Sequence, residues 1–450
     1  MKRFFSLSLL MALCLSLGAQ EAARQLIAEN PDRAANNMHS YEFDPIQDTP
    51  APKGFKPFYI SHYGRHGSRY ELNSTFARAA QEGFATLDSL GLLTEAGKSL
   101  YADVEKIVDA HKGMEGSLSP RGAREHRMIA ERMAKRFPRI FKNRDRQEVN
   151  CFSSTSFRCI VSMCNFTNSL QLQFPKQQFT FTSAERFMSY INPSLNVRRP
   201  GEPAPQRPAF PAGGYRPQAP RRLLPASGTP GYDFTRFLTP LVKDLDAAGK
   251  VLGNPEPFVR AIYSAGGLCQ LVDFLGIDIY RNYFTPEELT YFWAPGNDNI
   301  YRMWAGSAEN GDVIRYAIRP LLLDFIEKAD AAIRPDSHRA ADLRFGHDTS
   351  VLPLFALLGA DDPQHRIFPY QEAHNHGWYA FFQVPMATNC QMVFYKNNQG
   401  EVLTKILYNE KEILLDGIEP VSGPYYRWPD LKAHFLQLCE KAAEPWNRAR

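Results

Sequence analysis

Residues 57–63, PFYISHY, concentrate β-branched and aromatic side chains and are closed by a glycine, the pattern of a strand. The strand runs straight into a basic turn, Arg65-His66-Gly67-Ser68-Arg69. Residues 74–90 and 94–111 repeat apolar positions at helical spacing, with Thr94 as a good cap. Ser119-Pro120 opens a third helix, since serine caps well and proline suits the first turn. A strand is expected near 147–153, followed by a helix through STSFRCIVSMCNFTNSLQLQF that holds Arg158 in its first turn. This alternation predicts an α/β fold, a mostly parallel sheet flanked by helices.

The alternation lapses between about 175 and 335. Helical patterns dominate there, at 232–247, 256–274 and 311–335, so residues 175–335 are read as an inserted, mainly α-helical domain. Within it, residues 198–230 hold nine prolines, six arginines and one acid, Glu202, and are expected to form a surface loop. Strand–helix order resumes at ADLRFGHDTSVLPLFALLG: a strand end at 341–346, then a helix over 349–358 with Pro353 in its first turn. Two β-rich runs, GWYAFFQVPMATNCQMVFYKN and EVLTKILYNEKEILL, and a helix around 429–442 close the chain. The α/β core is therefore assigned to residues 20–174 and 336–450.

Composition narrows the function. A hydrophobic fraction of 44% over 450 residues supports a full core. The net charge of +4 is too balanced for a general nucleic-acid binder, so any strong positive field is local. Residues 1–19, MKRFFSLSLLMALCLSLGA, combine a basic start, an apolar run and a small-residue exit, the pattern of a cleaved secretory signal peptide. No later apolar stretch is long enough to predict a transmembrane helix. The expected location is periplasmic or secreted, with no membrane and no nucleic-acid partner. Cys151, Cys159, Cys164, Cys269, Cys390 and Cys439 follow the leader; the even number permits disulfides, and buried free thiols fit equally well.

Three segments share one design, a strand end followed by polar or basic residues and then a helix: Arg65–Arg69, Ser153–Arg158 and His347-Asp348-Thr349. Open α/β sheets bind ligands beyond the carboxyl ends of their strands, where helix N-termini favour anions. Together the segments can place Arg65, Arg69, Arg158 and His347 around one phosphate, whose oxygens match the guanidinium fork. His66 is then the candidate nucleophile. The neighbouring positive charges disfavour its imidazolium form, and the Gly67 carbonyl can orient the ring. Asp348 is the candidate proton donor, and a bound phosphate dianion would help it keep its proton. No cofactor and no metal are required by this set, and the expected partner is a small-molecule phosphate monoester.

RHGSR, followed far downstream by GHDT, resembles the histidine acid phosphatases, the branch of the histidine phosphatase superfamily that includes phytases. SSTSFRCIVSM resembles that family's third-arginine segment, and VPMATNCQMVFYK and ILYNEK are similar to the closing strands of multiple inositol polyphosphate phosphatases. The likeness spans roughly 55–175 and 340–440. It implies an α/β core with an inserted α domain, a phosphohistidine on His66, proton donation by Asp348, and phosphate binding by Arg65, Arg69, Arg158 and His347. Inositol polyphosphate phosphatases usually carry His-Ala-Glu at the donor site; His347-Asp348-Thr349 is instead similar to bacterial phytases and general acid phosphatases. Phytate, sugar phosphates and nucleotides all remain candidate substrates, and a phosphate-shuttling mutase or a non-catalytic anion-binding protein are the competing readings. Plainer roles are expected for the other histidines: His62 as a structural strand residue, His126 on a helix surface, and His374 and His376 as a pair without a third metal ligand.

Overall fold

The structure, a computed structural model, describes residues 21–448 apart from 74, 196, 202–231 and 361–366. The expected leader and nearly all of the Pro/Arg-rich stretch 198–230 therefore lie outside the described residues. Among the described residues, eight strands form one sheet: β1 Lys56–Arg65, β2 Glu148–Ser153, β3 Gln178–Ser183, β4 Arg339–Gly346, β5 Asn389–Lys396, β6 Val402–Tyr408, β7 Lys411–Ile413 and β8 Tyr426–Arg427. Their spatial order is β3-β2-β4-β1-β5-β6-β7, with β8 also paired to β6. Strands β3, β2, β4 and β1 are mutually parallel, and the later strands extend the sheet through antiparallel pairings.

The main helices are α1 Thr75–Ser89, α2 Glu95–His111, α3 Pro120–Arg136, α4 Phe157–Gln173, α5 Glu256–Cys269, α6 Pro286–Trp304, α7 Gly311–Ile333, α8 Asp348–Leu358 and α9 Trp428–Asn447. Thr94 and Ser119 cap α2 and α3 as expected, their hydroxyls accepting from the backbone N–H of Gly97 and Gly122. Side chains of a strand alternate between its faces. In β1, Tyr59 and Tyr63 join Leu321, Leu352 and Phe435 of α7, α8 and α9, whereas Ile60 joins Ile129 and Phe166 of α3 and α4. The result is the α/β class read from the alternation, with helices on both faces of the sheet.

A third core is all-helical. Phe84 of α1, Val104 of α2, Ile262 of α5 and Trp293 of α6 are buried together. The helical layer thus draws on the segment before residue 174 as well as on the expected insertion. Conversely, β3 extends the sheet beyond residue 174, and α7 packs on the sheet face, although both fall inside 175–335. Helix α6 is absent from the sequence reading because Pro295-Gly296 at its centre looks like a break. A capping box between Thr285 and Glu288 starts it, with Pro286 at its first position. Residues 380–383 of the first β-rich run form a turn of helix, and the strand begins only at Asn389. Glu256–Leu275 has the length and hydropathy of a membrane span, and most of it is packed inside the molecule. The six cysteines are free thiols; Cys164 is exposed and the others are buried.

Beneath the sheet, fully buried Arg344 of β4 donates to Asp324 Oδ2 (2.6 Å) and Ser61 Oγ (2.9 Å). Asp324 also pairs with Lys328 through Oδ1, so removing Arg344 takes away two buried, charge-assisted hydrogen bonds but leaves the carboxylate one cation. Arg344→Met is therefore expected to lower unfolding free energy by roughly 1–3 kcal/mol in a denaturant titration.

Candidate active site

Strands β2, β4 and β1 are adjacent and parallel, so their carboxyl ends lie side by side. Arg65, the last residue of β1, is in register with Gly346, the last of β4, while Ser153, ending β2, is in register with Phe345. The ladder continues one step past the strands, with His66 N–H donating to the Gly346 carbonyl (2.9 Å) and Ser154 N–H to that of Phe345 (2.9 Å). These rungs bring the three expected segments together at one edge.

His66 is buried, and its Nδ1 lies 2.9 Å from the Gly67 carbonyl. A carbonyl only accepts, so Nδ1 carries the proton and Nε2 keeps its lone pair. The loop that sets this geometry is held against the start of α3. Ser68 donates from N and Oγ to the two oxygens of buried Glu125, each at 2.7 Å. Gly67 and Gly122 meet backbone to backbone: a methyl on Gly67 would sit 2.6 Å from the Gly122 carbonyl oxygen, so neither position tolerates a side chain without displacing the loop.

Arg65 is almost fully buried. Its Nη1 donates to the carbonyls of Asn37 (2.5 Å) and Val384 (2.8 Å), and its Nη2 pairs with Asp348 Oδ2 (2.7 Å). Arg158 Nη2 lies 3.4 Å from His347 Nδ1. A guanidinium only donates, so His347 Nδ1 accepts, and Nε2 carries the proton toward Ser154 Oγ at 2.9 Å. His347 also caps α8, its backbone N–H donating to the Tyr63 hydroxyl (3.1 Å). That hydroxyl passes so close to Gly346 that a methyl there would stand 1.9 Å from it. Arg69 Nη1 donates to the Tyr70 carbonyl at 3.0 Å.

The charge balance is lopsided. Arg65, Arg69 and Arg158 each have a buried Nε–H without an acceptor, and among the described residues only Arg65 is paired with a carboxylate. Burial and repulsion from Arg65 and Arg158 bring Arg69 down to about 9. His66 is held well below its ordinary value by burial first, then by Arg65, Arg158, His347 and Arg69. His347 is lowered to about 4 by burial and Arg158. Burial pushes Asp348 upward, yet Arg65, His347 and Arg69 together prevail and hold it below the usual carboxylate range. A cluster of buried donors around a neutral imidazole has the chemistry to hold an oxyanion beside an unprotonated ring nitrogen.

The structure thus brings His66, Arg65, Arg158, His347 and Asp348 into one connected set with Arg69 beside them. The sequence reading lacks Asn37, Tyr63, Ser154 and Glu125, which hold the set in place from up to several hundred residues away. Tyr63 and Ser154 lie inside segments already singled out; Asn37 and Glu125 had no local signal. His126 is not on a helix surface; it is buried with His62 among Phe166 and Phe345, and burial lowers both imidazoles to about 3. His374 is bonded to Asp298 through Nδ1 (2.9 Å), and His376 stacks on Phe368.

No protein-family model and no curated protein matches the chain. Solved structures do. The Bifidobacterium longum multiple inositol polyphosphate phosphatase, in complex with inositol hexasulfate, superposes with a TM-score of 0.69 at 18% identity, over 90% of this chain and 97% of that one. The phytase of D. castellii gives 0.63 at 14% identity, over 92% and 87%. The chain shares the fold of these two enzymes. The histidine acid phosphatase resemblance of RHGSR and GHDT and the course of the described backbone therefore point to one architecture.

The neutrality of His66 can be measured without substrate. In ¹⁵N-histidine NMR, with His66→Asn to assign the signal, the ring should stay neutral well below about pH 6.5, where an ordinary histidine gains its proton. Arg158→Gln removes one of the repelling charges, so the titration should move to higher pH. An ordinary midpoint in the unsubstituted protein contradicts the assigned electrostatics.

Proposed function

We propose that the chain is a phosphomonoesterase that works through a phosphohistidine on His66. The observation that carries this reading is the neutral, oriented imidazole of His66 among arginines whose buried N–H groups lack acceptors. In the first step the Nε2 lone pair attacks phosphorus as the ester P–O bond breaks, and Asp348 gives its proton to the departing oxygen. In the second, water attacks the phosphorus, Asp348 takes a proton from it, and the P–N bond breaks to release inorganic phosphate and neutral His66. Arg65, Arg69, Arg158 and His347 hold the phosphoryl oxygens, which is the positioning and charge neutralisation that phosphoryl transfer needs. The three guanidiniums supply the positive charge and His347 adds a neutral imidazole, a role that calls for no metal ion.

Asp348 must hold a proton before the first step, although it is ionised beside Arg65 in the unliganded site. A phosphate dianion competes for Arg65 and repels the carboxylate, and both effects raise the Asp348 pKa. Inositol phosphates are the proposed substrates, supported by the shared fold and by the inositol hexasulfate and phosphate complexes of the Bifidobacterium longum enzyme. A second reading, a broader acid phosphatase, is favoured by the pocket rim. Leu72 and Phe157 are each about half exposed and lie with Arg158 Nη1 around Gly116, an apolar edge beside the arginines. Export is proposed with either reading, on the pattern of residues 1–19.

Labelled phytate quenched during turnover should yield an acid-labile, alkali-stable phosphoenzyme that is lost in His66→Ala. An alkali-labile adduct, or full turnover by the substituted enzyme, contradicts the mechanism. The same phosphate-release assay on sugar phosphates and nucleotides separates the two substrate readings.

A further inference from the structure

Asp348 is not held by Arg65 alone. Asn37, from the 3-10 segment Pro31–Met38 near the N-terminus of the described chain, reaches it as well: its Nδ2 donates to Asp348 Oδ2 at 3.0 Å. The backbone carbonyl of the same residue accepts from Arg65 Nη1 at 2.5 Å. One residue therefore touches the candidate proton donor with its side chain and the candidate phosphate ligand with its main chain. Oδ1 of Asp348 is occupied by the Thr349 N–H at 3.0 Å. With both oxygens held, the plane of the carboxyl is set.

The arm that presents Asn37 is built with strain. Asn36 has φ +56° and ψ −127°, inside the helical segment but far from helical geometry and in a region that side chains seldom occupy. It is kept there from outside. Its Nδ2 donates to the Trp293 carbonyl of α6 (3.2 Å), and Gly296 of that helix leaves the space, since a methyl there would stand 2.7 Å from the same nitrogen. The Tyr263 hydroxyl of α5 bonds the Ala34 carbonyl at 2.5 Å. Gly296, half of the Pro295-Gly296 pair that disguises α6 in the sequence, is thus part of the clamp, and the helical layer sets the position of a residue at the candidate site. Strain retained by the surrounding structure next to reacting groups is a marker of function.

We propose that Asn37 is a positioning residue for proton donation, orienting the Asp348 carboxyl when the bound phosphate draws Arg65 away. In the unliganded site Arg65 and Asn37 share Oδ2. Once Arg65 turns to the substrate, Asn37 is, among the described residues, the side chain that still holds this oxygen, so the donor keeps its aim at the leaving group. This rests on the phosphohistidine reading above. The charged or titratable groups acting on Asp348 are Arg65 from β1, Arg69 from the loop beyond it, and His347 beside it, with Tyr63 and Cys159 sensing it from β1 and α4. Asn37 adds a neutral N–H donor, which favours the ionised carboxylate.

The test compares Asn37→Ala and Asn37→Asp with Asp348→Asn on an alkyl phosphate and on an activated aryl phosphate, whose leaving group needs no proton. Both Asn37 variants retain the main-chain bond to Arg65. Asn37→Ala is expected to lose about 10-fold in kcat on the alkyl ester, a fraction of the roughly 10²–10⁴ that a general acid supplies, with little change on the aryl ester. The basic limb of the kcat profile, which marks the loss of the donor proton, should move to higher pH in Asn37→Ala and further in Asn37→Asp, where a second carboxylate opposes ionisation. Equal losses on both esters, or an unmoved basic limb in both variants, overturns the role of Asn37. An unsubstituted enzyme that turns over neither ester would instead overturn the phosphatase reading itself.

Discussion

The last rung of the β1–β4 ladder, from His66 N–H to the Gly346 carbonyl, is the contact on which the site depends. It extends parallel pairing one residue past the strand ends and so fixes where His66 stands relative to His347-Asp348. Parallel strands share a direction, so everything emerging from β2, β4 and β1 emerges at the same edge. Arg158 then follows from α4, which begins directly after β2, and the α8 helix starts directly after β4 with His347 as its cap. Two glycines protect this register: Gly346 admits the Tyr63 hydroxyl and Gly67 admits the start of α3.

Burying so many cations is costly unless something compensates. Here part of the compensation is internal, through Asp348 and the carbonyls of Asn37 and Val384. The positive charge that remains, together with burial, depresses the values of His66, His347 and Arg69. Burial first, and then the same charge imbalance, keeps the imidazole of His66 neutral, and the Gly67 carbonyl decides which nitrogen carries the proton.

The helical layer does more than cover the sheet edge. Through Trp293, Gly296 and Tyr263 it grips the strained arm at Ala34–Asn36, and through that arm it reaches Arg65 and Asp348. A short chain of direct contacts thereby links the packing of α5 and α6 to the Asp348 carboxyl.

The α/β class and the residues offered for the chemistry were legible in the chain because each is written within a short window. A strand run closed by Gly64-Arg65-His66, a cap at Ser119-Pro120 and a helix start after Gly346 depend on backbone hydrogen bonding over a few residues. The sequence by itself determined that RHGSR and GHDT stand at strand ends and that each is followed by chemistry suited to phosphate. Tertiary structure decided the rest. Which strands lie side by side, whether His126 is wet or buried, and that Asn37 meets Asp348 across 311 residues are outcomes of packing between distant segments. No local period encodes such contacts. Pro295-Gly296 even reads as a break where α6 in fact runs on, because the space left by Gly296 matters only once Asn36 arrives to fill it.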